Sequence, residues 1–451
     1  MFVCSTETQH RALKLRIYPS NEQKVLIEKT FGCCRKLYNE HLQERNEFYI
    51  DNILPIKSKA TKQEINEVYK TFKPKTEKEW KVIYPYLADV SSCALQQARR
   101  DCDSAFLNFF KSNNGSRKGK SGFPKFKSKK SHDFSYRECM RIALIWNERK
   151  IKVPKLGLVK FRHSGNKKGK LDFFLRGEVE LKSITIRKNP ANEYYAVLLF
   201  EREYCYKQKI YEGGENQAIG LDFSPADFYI NSDGSSGKDF GYVAQKQANL
   251  KKLTKLQRRL MCKQIGSNNR EKARVKVARM EHYIAECRND WIEKETKRLV
   301  SSYQVIGIED LNLKGMMKFS RNAKNYGDAS WGNFTNKLLW KSSLNENNCQ
   351  IIKADRFFAS SQICHCCGFK NPITKNLSVR SWICPECGAE HIRDVNAAIN
   401  LKENAIKQIG QGVSEFRSVE DVEDLAILAL QIGASNEAEN LAGDSLNALA
   451  L

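Results

Sequence analysis

The chain has 451 residues, more than one compact core accommodates, and its 41% hydrophobic content is enough to build two to four folded units. A formal net charge of +24 costs self-repulsion unless a polyanion neutralises it, which points to nucleic acid. No apolar run approaches the roughly 20 residues of a spanning helix, no basic amphipathic anchor stands out, and Met1 to Ser20 lacks the apolar core of a signal peptide, so a cytoplasmic protein with no membrane partner is expected.

Leu13, Leu15 and Ile17 alternate with Lys14, Arg16 and Tyr18, the period of a strand, which Pro19 ends. Ser20 with Gln23 forms a capping-box signal, and Ile27, Phe31 and Leu37 continue at helical spacing. The chain reads as mainly helical to about Phe110, including an amphipathic stretch with Leu95, Ala98, Cys102, Ala105 and Phe109. Lys111 to Lys130 then carries many cations and no Asp or Glu, as a loop followed by a cationic strand or turn. Short strands at Leu158 to Phe161, Ile184 to Ile186 and Tyr194 to Phe200 predict a small β-rich domain, whose sheet the N-terminal strand can join.

A new domain opens with the apolar strand Ala218 to Asp222, paired with Phe228 to Ile230. A basic helical hairpin follows. One arm repeats Leu250, Leu253, Leu256 and Leu260, the tip is Gly266 to Asn269, and the other arm repeats Val277, Met280, Ile284, Cys287 and Trp291. Its apolar stripe reads as helix packing and its outer lysines and arginines as phosphate contacts. A buried strand at Val305 to Ile308, a helix around Phe334 to Trp340, a strand at Ile351 and Ile352, and an amphipathic helix from Asp394 complete the region. Beyond Gly412 the composition turns acidic, as in an appended tail.

Of fifteen cysteines, Cys93, Cys102, Cys205, Cys262 and Cys287 are scattered singly and read as buried free thiols. Cys364, Cys367, Cys384 and Cys387 are organised as two Cys-x-x-Cys pairs at zinc-ribbon spacing, each followed by a glycine that lets the backbone turn around a metal. Four thiolates leave no open position for water, so a structural Zn2+ is expected. His365 and Cys366 lie between ligands without improving the spacing.

Hydrolysing a phosphodiester calls for two divalent ions held by carboxylates. Asp222 ends one apolar strand, Glu309 follows another, and Asp394 opens a helix. Each alone is equally a strand terminator or helix cap. Their order, strand acid, strand acid and helix acid with a zinc ribbon before the last, makes them candidate catalytic residues and ligands for two Mg2+ ions.

This arrangement resembles the TnpB family, transposon-encoded RNA-guided DNA endonucleases related to the type V CRISPR effectors. The resemblance rests on Gly220-Leu221-Asp222, Gly307-Ile308-Glu309-Asp310-Leu311-Asn312, Ser360-Ser361, and Arg393-Asp394-Val395-Asn396-Ala397-Ala398-Ile399-Asn400. Leu15-Arg16-Ile17-Tyr18-Pro19, Leu95-Gln96-Gln97-Ala98, Gly122-Phe123-Pro124-Lys125-Phe126-Lys127 and Trp331-Gly332-Asn333-Phe334 extend it over about Leu13 to Gln408. It implies an α/β multidomain protein: an RNase H-like RuvC nuclease domain with an inserted zinc ribbon, a β-barrel wedge domain and a helical recognition domain. The implied boundaries are 1–20 and 116–212 for the wedge, 21–115 for recognition, 213–360 and 391–412 for the nuclease, 361–390 for the ribbon and 413–451 for the acidic tail. It further implies a guide RNA, from a transposon end or a CRISPR array, and a double-stranded DNA target read beside a short motif and cut in a single site. Gln96, Gln97, Lys125, Lys127, Lys129 and Lys130 are the candidates for contacts with the flanking duplex. The competing reading is a zinc-ribbon or RNA-guided DNA-binding repressor that does not cut.

Overall fold

The computed structural model describes residues 5–117, 119–130, 134–162, 179–206, 217–238, 246–319, 327, 329–344, 349–376 and 378–410; the acidic tail 413–451 lies outside them, as does the side chain of Cys205. The chain divides into two compact units, Thr8–Glu203 and a second formed by Tyr204–Leu451 with Met1–Glu7.

The N-terminal unit is a sheet backed by helices. Strand β1 (Ser5–Tyr18) buries Leu15 and Ile17 on one face and stops before Pro19. Helix α1 (Asn21–Phe48) starts at the Ser20 N-cap, whose Oγ accepts from the Gln23 backbone while the Gln23 side chain bonds back. Two short helices, α2 (Lys62–Lys70) and α3 (Glu77–Ile83), open on the same device at Thr61 and Thr76. Helix α4 (Ser92–Asn113) then packs along α1.

The strands are β2 (Phe134–Glu138), β3 (Ala143–Ile145), β4 (Lys150–Val153), β5 (Gly157–Arg162), β6 (Glu180–Lys188) and β7 (Tyr194–Tyr206). Their order is β2-β6-β7-β1-β5-β4-β3, so the N-terminal strand lies in the middle of a sheet built from residues more than a hundred positions later. Ile151, Val159, Phe161, Ile184, Ile186, Leu198 and Phe200 meet Ile27, Phe31, Leu37, Leu87 and Leu95 in one core. Each such side chain contributes roughly 1.5–3 kcal/mol on burial.

One acid is sealed into this unit. Glu138, at the end of β2, is fully buried; it accepts a 3.0 Å bond from Ser91 Oγ, and its other oxygen has no partner among the described residues. Burial pushes its carboxyl up to about 7 from an ordinary 4.5, against the Ser91 hydrogen bond. A raised carboxyl favours the fold below its ordinary value, and that contribution is lost as pH rises through about 7. The N-terminal unit should therefore unfold at a lower temperature at pH 8 than at pH 5. Glu138→Gln should flatten this dependence and stabilise the unit at pH 8 by about 1–3 kcal/mol, read from thermal unfolding at the two pH values.

The C-terminal unit holds a four-stranded sheet of β8 (Ala218–Ser224), β9 (Phe228–Asn231), β10 (Val305–Ile308) and β11 (Gln350–Lys353) in the order β11-β10-β8-β9. Strand β10 runs parallel to β8 and β11, and β9 runs antiparallel to β8. All four β10 residues are buried, as expected of a central parallel strand covered on both faces. Period two splits the side chains cleanly. Ile219, Leu221, Ile306 and Ile308 face the helices α6 (Asn268–Ser302) and α8 (Trp331–Leu344), where Trp331 stacks on Phe334 and Phe228 meets both edge-on, with centroids 4.9–5.4 Å apart. Ala218 and Val305 face the last helix, α9 (Arg393–Gly410).

The basic hairpin pairs α5 (Lys246–Met261) with α6, which Ser267 caps through Arg270 N. Leu253, Leu256 and Leu260 are only half-buried between the arms. Cys262, expected to be buried, is exposed because it follows the end of α5 at the hairpin tip, where nothing packs on it; Cys93 and Cys102 are buried as read, and Cys287 is partly so. A seven-residue helix, α7 (Leu313–Phe319), follows β10.

Candidate nuclease centre and metal ribbon

Two glycines set the geometry of the acidic site. Gly220 on β8 and Gly307 on β10 are direct partners in the parallel register, and α9 lies on both. A Cβ at Gly220 would stand 1.8 Å from the Ala398 carbonyl oxygen, and one at Gly307 would stand 2.3 Å from that of Leu401. Only bare backbone admits the helix this close.

Asp222 and Glu309 come two residues after these glycines, so alternation sends their side chains to the same helix-covered face. Asp394 stands in the first turn of the helix that rests there. The repeated Gly-x-acid spacing thus converts a helix-sheet contact into convergence of three carboxylates. They act on one another: Asp222 is raised well above the usual carboxylate range by burial, then by Glu309 and by Asp394, with Arg393 pulling the other way. Glu309 is raised by burial too, opposed by a 2.6 Å hydrogen bond from Ser360 Oγ and by Arg393. Asp394 accepts from Arg380 Nη1 at 3.3 Å. Asp222 has no hydrogen-bond partner among the described residues.

Arg393, buried, had been given no role in reading the sequence, although it directly precedes Asp394; its guanidinium Nε has no partner among the described residues and its charge bears on both strand acids. Asp310 was likewise unassigned and holds Arg356 at 3.0 Å, fastening the loop after β11 beside Glu309.

The four cysteines meet on two matching knuckles. Cys364 N bonds to Phe369 O and Gly368 N to Cys364 O, each at 2.8 Å; Cys384 N bonds to Ala389 O and Gly388 N to Cys384 O, each at 2.9 Å. Gly368 and Gly388 have φ of +81° and +72°, the left-handed turn that a side chain disfavours. All four sulfurs lie within 4.8 Å of one another, with Cys364 to Cys387 at 3.7 Å and Cys367 to Cys384 at 3.6 Å. A tetrahedron with bonds of roughly 2.3 Å has edges of about 3.8 Å, so the donor set fits zinc. Cys364, Cys366 and His391 form a second close set, with His391 Nε2 at 3.0 Å from Cys364 Sγ. Neither His365, bonded through Nδ1 to Asn396 Oδ1 at 2.9 Å, nor Cys366 belongs to the four-sulfur group. The hairpin β12 (Ser381–Ile383) and β13 (Glu390–Ile392) carries the second knuckle and runs straight into α9, so the ribbon and Asp394 share one stretch of backbone.

In the N-terminal unit, Lys125, Lys127, Lys129 and Lys130 are exposed, with the Lys127 ammonium 4.0 Å over the Tyr38 ring. Gln96 is half-buried on α4. Gln97, expected at a nucleic-acid surface, is 7% exposed, because the next helical face of α4 turns it inward beside Leu95 and Ala98.

Three family descriptions match the chain: "Helix-turn-helix domain" over residues 9–52, "Probable transposase" over 203–320 and "Cas12f1-like, TNB domain" over 331–401. The structure of the first segment is β1 followed by the single helix α1. A Streptomyces pristinaespiralis protein described as a "Putative RNA-guided DNA endonuclease" is 31% identical over 395 residues, covering 87% of this chain and 88% of that one. The chain belongs to the TnpB family. The Escherichia coli relative InsQ, with the same description, is 27% identical over 310 residues, 68% of each chain. A Cas12f1 chain, solved by cryo-EM in a complex with sgRNA and target DNA, aligns over 88% of this TnpB family member and 99% of its own length, with 14% identity and a TM-score of 0.47.

Proposed function

We propose that this protein is an RNA-guided DNA endonuclease that hydrolyses phosphodiesters with two magnesium ions held by Asp222, Glu309 and Asp394. The observation that carries the reading is the convergence of three acids from two parallel strands and a helix start on one face, with Asp222 raised by burial and then by its two neighbours. Buried like charges gathered on one face, with Asp222 accepting no hydrogen bond among the described residues, are what a divalent cation relieves. When bound, the ions supply Lewis acidity toward the attacking water and the departing oxygen.

The chain's own groups do the rest. Ser360 donates to Glu309 Oε1 and fixes that carboxylate's rotamer, leaving its second oxygen as a ligand. Arg393 keeps positive charge behind Asp222 and Glu309, favouring their ionised, ligating forms. Arg380, largely exposed beside Asp394, can meet a phosphate that enters the cleft.

Cys364, Cys367, Cys384 and Cys387 would hold a structural zinc, and the ribbon would guide the strand to be cut. The seven-stranded sheet would close as the barrel of a wedge domain over 1–20 and 116–212, with 21–115 as the recognition helices. Lys125, Lys127, Lys129, Lys130 and Gln96 would lie along the duplex beside the target. Guide RNA and DNA account for the +24 charge. Such a protein works in the cytoplasm, at the nucleoid when on DNA.

The test uses the full chain with its co-purifying RNA, sequenced to design a complementary duplex target. Cleavage is expected with magnesium and none with calcium. A complex that binds this target and never cuts at any magnesium concentration would instead be a guided repressor.

A further inference from the structure

We infer that Phe357 is a base-stacking platform, receiving an unpaired nucleobase of the DNA strand whose phosphate enters the cleft of Asp222, Glu309 and Asp394. The inference rests on the nuclease reading and adds a substrate contact to it.

Phe357 is 88% exposed, the most exposed large apolar side chain among the described residues. Leaving a phenyl ring in water forfeits burial that most loops would recover by folding it back. Slack does not explain it. Ala354 N bonds to Ile308 O at 2.8 Å, Phe357 N to Asp355 Oδ1 at 2.8 Å, Phe358 N to Asp355 O at 2.9 Å and Ser360 N to Phe358 O at 2.9 Å. The turn is also fastened to the acidic site on both sides of the ring, by Arg356 to Asp310 at 3.0 Å before it and by Ser360 to Glu309 at 2.6 Å after it. Its neighbour Phe358 takes the inward position, against the cavity lined by Ile363, Cys364 and Asn400. The ring of Phe357 has no aromatic or cation-π partner among the described residues.

The surroundings specify what the ring is for. It stands three residues from the serine that touches Glu309, so its Cα is at most about 11 Å from that of Ser360. The guanidinium beside it, on Arg356, is 55% exposed and available to a phosphate. An exposed aromatic next to a cation, held rigid at the edge of a phosphodiester-cutting site, matches what single-stranded nucleic acid recognises: a face for the base and a charge for the backbone. A base pair within a duplex has no free face to offer, so the contact favours a strand already opened.

The test uses the full chain with its co-purifying RNA and a single-stranded oligodeoxynucleotide complementary to that RNA's guide region and extended by an unpaired tail, in calcium so that binding is read without cutting. In Phe357→Trp the added indole emission, taken as the difference from the parent protein, should be quenched when the oligonucleotide is added and unaffected by the RNA alone. In magnesium, Phe357→Ala should raise KM for the oligonucleotide about tenfold while kcat changes less than threefold, and Phe357→Trp should restore the parent KM. An unquenched indole, quenching by the RNA before DNA is added, or an unchanged KM in Phe357→Ala overturns the assignment. A quench in Phe357→Trp alongside a parent protein that never cuts in magnesium would overturn the nuclease reading and leave the stacking contact standing.

Discussion

Asp222→Asn should abolish cleavage, by at least about a thousandfold, while leaving guided binding of target DNA and the folded state intact. The two halves of this expectation have one cause. Asp222 is a proposed ligand, and burial, then Glu309 and Asp394, raise its carboxyl well above the usual range. Because the folded value exceeds the unfolded one, the group favours the fold below about pH 4 and costs stability once pH rises past its folded value or a deprotonated form is imposed. The amide removes that cost. In metal-free buffer near neutral pH the variant should melt no lower than the parent, whereas added magnesium should raise the melting temperature of the parent and not of the variant. Retained cutting by Asp222→Asn would remove this residue from the metal-binding set, and an unchanged magnesium response would remove the ions from it.

The second large effect is expected at the ribbon. Cys384→Ser should reduce bound zinc from one equivalent to none by elemental analysis and open residues 361–392 to limited proteolysis, because structural zinc supplies roughly 10–16 kcal/mol of apparent binding energy in small domains of this kind. The damage should not stop there. Strand β13 passes directly into α9, so a ribbon that unfolds releases the backbone carrying Arg393 and Asp394, and cleavage should fall with the metal. Cys366→Ser is the control: its sulfur lies outside the four-sulfur group, and this variant should keep both zinc and activity. Should Cys384→Ser retain a full equivalent of zinc, the Cys364, Cys366 and His391 set would be the one holding it.

Much of the site can be read from the chain because its residues carry local signatures. The cysteine spacing, the apolar runs ending in Asp222 and Glu309, and the amphipathic pattern opening at Asp394 are all visible within a few residues. Partners across the fold are not. Arg393 looks like any surface cation until the helix start is pressed against β8 and β10. Glu138 follows an unremarkable alternating strand, and only α4, delivering Ser91 to it, makes it a buried acid. Gln97 shows the converse: the family resemblance offered it for a duplex contact, while its phase on α4 turns it inward. The sheet of the N-terminal unit was legible in outline, since the N-terminal strand does join the later strands, but its order was not, because β1 finds its neighbours β5 and β7 far along the chain. Cys262 was misjudged because residue type is a poor guide at a hairpin tip.

The paired glycines under α9 act as a datum surface. Elsewhere in the unit, distances between elements are set by interlocking side chains, and such seams can be repacked with a different mixture of volumes. Between β8, β10 and the last helix the gap is a main-chain contact, fixed by the radii of carbonyl and Cα atoms that no substitution alters except at Gly220 and Gly307 themselves. Changes in the surrounding apolar residues can therefore accumulate without shifting the ledge on which the three acids stand, while a single methyl group at either glycine would lift it.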